Sequence, residues 1–318
     1  MRLHFWGTRG SIPVSLTAAD IRAKLLLALQ GAAGRPLEQQ ADIEAYVDGL
    51  GFAVGGTYGG HSSCVQIDTG GDEQVLLDMG SGARPCGQHM IERFGPGRPQ
   101  TYHVFMSHLH WDHIMGFPFF TPIYIPGNRL IIHSCHENVE YAFRRQQRGP
   151  SFPVDFGLLG AEISFEVLQP DQDYDIAGLC VRAKRQCHAG DSYGWRFIKD
   201  GKRVVYSTDS EHKLENLAET TGFADFFANA DAVIFDAMYS LADAISVKAD
   251  WGHSSNMVAV ELCQMARAKR LIMFHHEPAY DDKRIEQVLV ETRRLESITR
   301  SDHAVEVLSA WDGLEVSL

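Results

Sequence analysis

Apolar and polar positions alternate along much of this chain, and the period of that alternation changes at definable points. Leu3 to Trp6 alternates at period two and reads as a first strand. The turn-rich loop Gly7-Thr8-Arg9-Gly10-Ser11-Ile12-Pro13 follows it. The period then lengthens. Thr17-Ala18-Ala19-Asp20 has the form of a capping box, and Ile21, Leu25 and Leu29 recur every four residues. After Gly31 to Pro36 a second helical pattern runs through Ile43, Val47 and Leu50. Residues 17–50 therefore predict a helical hairpin inserted between two strands.

Strand patterns then come in close succession: Cys64 to Asp68, Val75 to Asp78, Tyr102 to Ser107, Leu130 to His133 and Ile163 to Leu168. Leu179 to Cys187, Trp195 to Ile198 and Val204 to Ser207 continue the series, with Asp200-Gly201 as a hairpin turn between the last two. From Ala232 strands and helices alternate: a strand at Val233 to Asp236, a helix at Asn256 to Ala268 and a strand at Leu271 to Phe274. A helix at Asp282 to Ser297 and strands at Val305 to Leu308 and Leu314 to Val316 complete the chain. Strands with helices in both halves imply an α/β fold of two sheets packed face to face with helices outside. With no repeat, low-complexity tract or linker, residues 1–318 are expected to form a single domain carrying the 17–50 insertion.

Composition narrows the class. The chain is 45% hydrophobic and 22% charged, as a soluble globular protein is. No apolar run approaches the roughly 20 residues of a membrane span. The start, Met1-Arg2-Leu3-His4-Phe5-Trp6, lacks the apolar stretch of a secretory signal, so a cytoplasmic location is expected, with no membrane association. Six scattered cysteines without a CxxC pair are expected to be reduced and mostly buried. A net charge of -12 argues against a large nucleic-acid footprint, which clustered Lys and Arg ordinarily supply.

The chemistry concentrates in Ser107-His108-Leu109-His110-Trp111-Asp112-His113. His108, His110, Asp112 and His113 share no single face of a helix or strand. They converge only if the chain turns directly after the Tyr102–Ser107 strand, where α/β sites commonly lie. Imidazoles with a carboxylate suit zinc, and also manganese or iron.

This motif resembles that of the metallo-β-lactamase superfamily, and the later chain follows the same order. His188 ends the strand through Cys187, Asp209 follows Tyr206-Ser207-Thr208, and His275 follows Leu271-Ile272-Met273-Phe274. Asp78, in Leu77-Asp78-Met79-Gly80, matches the family's early structural Asp. The resemblance implies a four-layer αββα sandwich with two divalent metal ions, zinc first and Mn2+ or Fe2+ as alternatives. His108, His110 and His188 would bind one ion, Asp112, His113 and His275 the other, and Asp209 would bridge. His276 competes with His275 for the last place. Two divalent cations less Asp112, Asp209 and a hydroxide leave a residual +1, attractive to an anionic substrate.

Trp251-Gly252-His253-Ser254-Ser255 resembles the Gly-His-Ser/Thr loop of the ribonuclease Z-like phosphodiesterases. That resemblance makes His253 catalytic, stabilising the transition state or protonating the leaving alkoxide, with Asp236 orienting it. The structural alternative is a helix cap supplied by Ser254 or Ser255. Only 20 residues separate His188 from Asp209, too few for the tRNA-gripping arm of the bacterial ribonucleases. The implied substrate is a small phosphodiester such as a cyclic nucleotide, attacked by a metal-bridging hydroxide. Ribonuclease Z-like RNA 3′-processing, lactone or thioester hydrolysis and a non-enzymatic metal-bearing sensor are the alternatives. A homodimer is implied by the resemblance alone. Arg144, Arg145 and Arg148 read as a solvated helix face, and the 17–50 hairpin with Phe117-Pro118-Phe119-Phe120 is expected to shape the pocket. His61 receives no role.

Overall fold

The computed structural model describes residues 1–237 and 253–318. Two seven-stranded sheets form its centre. The first comprises β1 (Arg2–Gly7), β2 (Cys64–Asp68), β3 (Gln74–Leu77), β4 (Thr101–Phe105), β5 (Arg129–Ser134) and β6 (Glu162–Val167), with β14 (Glu315–Ser317) beside β1. The second runs β7 (Asp173–Ile176), β8 (Leu179–Gln186), β9 (Ser192–Lys199), β10 (Lys202–Ser207), β11 (Ala232–Asp236), β12 (Arg270–Phe274) and β13 (Glu306–Ser309). Strands β3 to β6 are parallel, as are β10 to β13.

Period-two patterning assigns the layers. Leu3 and Phe5 of β1, Leu77 of β3 and Phe105 of β4 pack against Trp195, Val204, Tyr206, Ile234 and Phe274 between the sheets. On the outer face of the second sheet, Val205, Val233, Phe235, Leu271 and Met273 meet helices α7 (Leu217–Phe227), α8 (Asn256–Met265) and α9 (Asp282–Thr299). The outer face of the first sheet packs on α4 (Ala83–Phe94) and α6 (Val139–Gln146) through Leu76, Val104, Cys86, Met90 and Phe143. Strands covered on both faces lose polar alternation, which is why β11 reads AVIFD and is buried throughout. The arrangement is the expected αββα sandwich.

The 17–50 segment contains α1 (Ala18–Ala32) and α2 (Gln40–Asp48), followed by the short α3 (Phe52–Gly55). Thr17 and Asp20 form the capping box reciprocally. The apolar residues whose spacing marks the helix do not face the body of the protein: Ile21, Leu25 and Leu29 are all exposed. All six cysteines are free; Cys64, Cys86 and Cys263 are buried. Cys180 and Cys187 are exposed, so burial holds for only half of the set. Among the described residues no helix is long and apolar enough to cross a membrane.

Candidate metal centre

The first sheet delivers its chemistry where β4 ends. After Phe105 the chain leaves the sheet, passes His108 and His110, and enters the one-turn helix α5 (Trp111–Ile114) carrying Asp112 and His113. Glycines let α5 settle closely on the loop after β3. A Cβ on Gly116 would lie 1.8 Å from the Gly80 carbonyl oxygen, and one on Gly80 would lie 2.4 Å from that of Asp112. Backbone bonds from Met79 N to His113 O and from Gly116 N to Met79 O, both 2.8 Å, tie the two loops. The second sheet contributes from the ends of β8, β10, β11 and β12, which carry His188, Asp209, Asp236 and His275. Three of the residues following strands, Asp78, Asp209 and His275, have φ of 58°, 41° and 57°. Left-handed backbone at non-glycine positions is uncommon, and here it swings each side chain off its strand toward one point.

The side chains converge as two trios. His108, His110 and His188 offer ligand atoms within 4.8 Å of one another, and so do Asp112, His113 and His275. His188 Nε2 stands 3.1 Å from His110 Nδ1. In the second trio His113 Nε2 lies 3.3 Å from Asp112 Oδ2 and 3.4 Å from His275 Nε2. Asp209 sits between them. Its Oδ2 faces His108 Nε2 at 3.6 Å and His188 Nε2 at 3.8 Å, while its Oδ1 faces His113 Nε2 at 3.2 Å and His275 Nε2 at 3.3 Å. All seven are buried except His110, which is exposed, and His188, which is half-buried, so the cluster opens to solvent on their side. His276 is turned away, its Nε2 2.8 Å from the Ala310 carbonyl.

Asp78, fully buried, holds the arrangement from behind. It accepts from Ser107 N, Ser107 Oγ and the Tyr206 hydroxyl, each at 2.7 Å, and lies 2.8 Å from His113 Nδ1. Ser107 Oγ in turn lies 3.1 Å from His108 Nδ1. The tautomers of His108 and His113 are thus set by groups outside the cluster, leaving each Nε2 aimed inward. Ser107 and Tyr206 are the partners that the sequence did not single out; nothing but adjacency to the motif marked Ser107, and nothing marked Tyr206.

Electrostatics fit a cation. Burial pushes the His108 imidazole toward the neutral, ligating form, and partial enclosure of the His110 ring, with His188 beside it, does the same although its outer edge is exposed. Burial opposes ionisation of Asp112, but His113 outweighs it and holds that carboxyl well below its ordinary range. Asp209 behaves likewise, its burial overcome by His275, His113 and His108. Burial also disfavours charge on His113, yet Asp209, Asp112 and Asp78 raise its pKa well above the usual value. Three carboxylates around one imidazole create a negative potential at the point between the trios. His108 Nε2 is buried without a hydrogen-bond partner. A buried nitrogen lacking a donor, aimed at a carboxylate beyond hydrogen-bond reach, is what a ligand site for a divalent cation requires.

His253 lies beside the cluster. Its Nδ1 is 2.7 Å from Asp236 Oδ2, and its ring centroid lies 5.2 Å from that of His188 and 5.1 Å from that of His275. Burial lowers its pKa, but Asp236 more than compensates and raises it to about 9. Trp251 and Gly252 of the same loop lie outside the described residues. Ser255 stands at the N-cap of α8 without a side-chain cap bond, while Ser254 Oγ bonds the Ser210 carbonyl at 2.5 Å. His61 pairs with Ser81 Oγ at 3.1 Å. Arg144 pairs with Glu140 at 2.7 Å. Arg145 instead lines a cavity of about 570 Å3 with Leu109, Trp111, Phe119 and Phe152. That cavity borders the motif, but none of the seven converging residues lines it.

The model of the beta-lactamase superfamily domain matches residues 73–276, a stretch that begins before Asp78 and ends at His276. The chain belongs to this family. The superfamily's ribonuclease Z-like branch contains its relatives: a ribonuclease Z of Picrophilus torridus is 32% identical over 257 residues, covering 65% of this chain and 77% of that one. Among solved structures, the metallo-beta-lactamase fold protein YhfI from Bacillus subtilis superposes with a TM-score of 0.64 at 17% identity. That match covers 99% of this chain and 98% of YhfI. A diphosphatase from the PhnP family gives a TM-score of 0.57 at 16% identity, covering 100% of this chain and 97% of its own. As a member of this superfamily the protein is a metal-dependent hydrolase, and its fold implies divalent metal ions.

Proposed function

We propose that this superfamily member is a binuclear phosphodiesterase acting on a small phosphodiester such as a cyclic nucleotide. The observation that carries the reading is Asp209, with one oxygen turned to each trio of donors. His108, His110 and His188 would hold one zinc ion, Asp112, His113 and His275 a second, and Asp209 both. Bound there, two divalent cations would supply Lewis acidity, lowering the pKa of water toward neutrality and offering positive charge to a phosphoryl oxygen.

The chain's own residues do the rest. Asp78 keeps His113 oriented. Asp236 accepts from His253 Nδ1 and favours the imidazolium, which leaves Nε2 able to protonate the departing alkoxide. Asp112 and Asp209 stay ionised and set the net charge that draws in an anion. Exposed Trp111 and Phe119 line the cavity that borders the motif, and aromatic side chains next to a cationic centre suit a substrate with an anionic group and a planar one. The 20 residues between His188 and Asp209 are occupied by β9 and β10, which pair as a hairpin, so no arm for a folded RNA projects there. The whole chain acts in this reading as a single metallo-hydrolase domain, with residues 17–50 as an insertion.

The ribonuclease Z relatives favour a second reading, RNA 3′-end cleavage. Both are tested by metal-reconstituted turnover of bis(p-nitrophenyl) phosphate, a cyclic nucleotide, a precursor tRNA, a thiolactone and a β-lactam. Diester and cyclic-nucleotide turnover without tRNA cleavage is expected. Efficient tRNA cleavage would transfer the site to the second reading, and turnover confined to the lactone or lactam would refute both.

A further inference from the structure

The cavity of about 570 Å3 beside the motif shares a wall with the metal centre, and that wall is the motif itself. Leu109 and Trp111 line the cavity and flank His110, which is exposed on the open side of the cluster. Ile114 and Met115 also line it and follow directly on His113. A substrate whose phosphate reaches the cluster past His110 therefore has this cavity next to it. Its volume is that of a small-molecule site, roughly 300–1,000 Å3. No residue of the 17–50 hairpin lines it, whereas Pro118 and Phe119 do.

The lining combines open aromatic rings with one free charge. Trp111 is 65% exposed and Phe119 54%, and half-buried Phe152 meets Phe119 edge to face at 5.6 Å. Rings left open beside a cavity are stacking surfaces for a planar group. Among the described residues lining it, Arg145 alone is charged. Its neighbour Arg144 is taken up by Glu140 at 2.7 Å and by the Phe156 ring at 4.4 Å. The Arg145 side chain makes no hydrogen bond or ion pair among the described residues, and four residues back along α6 stands Tyr141 rather than a carboxylate. Gln146 Nε2 donates to the Ile114 carbonyl at 3.0 Å, which ties this end of α6 to α5 and fixes Arg145 relative to the motif. A guanidinium without a partner, set against an apolar wall in a chain of net charge -12, is placed to take an anion, and its forked donors match phosphate.

We propose that this cavity receives the part of the substrate beyond the scissile phosphate, a planar group of nucleobase size, and that Arg145 binds a second phosphate carried on it. Among small phosphodiesters the protein then favours one with a phosphate more than a cyclic mononucleotide has. The proposal rests on the phosphodiesterase reading and narrows its substrate class.

Two diesters that differ only at that phosphate decide it: the p-nitrophenyl ester of thymidine 5′-phosphate, with and without a 3′-phosphate. With the zinc-loaded full chain, the 3′-phosphate should raise kcat/KM about tenfold or more, mainly through KM, and Arg145→Gln should abolish that advantage. Phe152→Ala should lower kcat/KM for both esters by roughly 5- to 100-fold and keep their ratio. No preference in the wild type, or a preference that Arg145→Gln retains, overturns the proposal. If neither ester is hydrolysed, the phosphodiesterase reading falls by itself, and calorimetric titration of the zinc-loaded chain with thymidine 3′,5′-bisphosphate decides the cavity. Binding weakened about tenfold or more by Arg145→Gln upholds it as a site for a planar anion. Equal binding to both chains, or none, overturns it.

Discussion

Asp209 stands within 3.8 Å of four imidazoles, and that position makes it the most sensitive residue of the centre. Asp209→Ala should leave fewer than two metal ions per chain, counted by plasma mass spectrometry, and abolish turnover. Asp78 touches no substrate, yet it sets His113 and, through Ser107, His108. Asp78→Asn is expected to weaken metal affinity by about 10–100-fold, read by competition with a chelating dye. His253→Ala should lower kcat by roughly 10²–10⁴-fold with metal content unchanged; full activity would remove His253 from the mechanism. Much at this scale was legible in the sequence. The motif around His108 fixes its own spacing, and His188, Asp209 and His275 each follow an apolar strand. The choice of His275 over His276 was not, because a left-handed φ separates two neighbours that look alike in one dimension. Tyr206 was equally hidden, since its hydroxyl reaches Asp78 only once two sheets have met.

At the scale of elements, the centre depends on how closely loops approach. Gly116→Ala would force α5 off the loop after β3, because the added methyl falls on the Gly80 carbonyl. The expected cost is about 1–3 kcal/mol of stability, with a larger loss of metal affinity as Asp112 and His113 shift; denaturant unfolding and metal titration measure the two. Lys24→Ala should cost about 2 kcal/mol by stranding Asp282, less than a fully buried pair because Lys24 keeps some exposure. Strands were the legible elements, since alternation survives wherever one face is covered. Helix α4 was not read because Pro85 and Gly87 interrupt its pattern. Pro85 is tolerated in the first turn, and Gly87 is needed where Phe120 and Pro122 press to 2.9 Å. Strand β7, Asp173–Ile176, escaped for a different reason: its alternation, DYDI, runs for only four residues and is too short to stand out. The spacing of Ile21, Leu25 and Leu29 gave the helix and could not give its direction, which Lys24 decides.

For the whole molecule, the two sheets place every contributing strand end on one rim, so residues 78 to 275 meet although nearly two hundred positions apart in sequence. The order of strands and helices foretold the sandwich, because buried parallel strands and covering helices leave different periods. Substrate choice was not legible at this scale, since one fold carries many hydrolyses. With Asp209 set between two trios of donors, two ions would have to act together. Zinc titrated into metal-free protein, with bis(p-nitrophenyl) phosphate turnover followed at each addition, tests this most directly. The expected result is little activity through the first equivalent and a steep rise to a plateau at the second. Full activity at one equivalent, or turnover indifferent to metal, would contradict a two-metal centre bridged by Asp209.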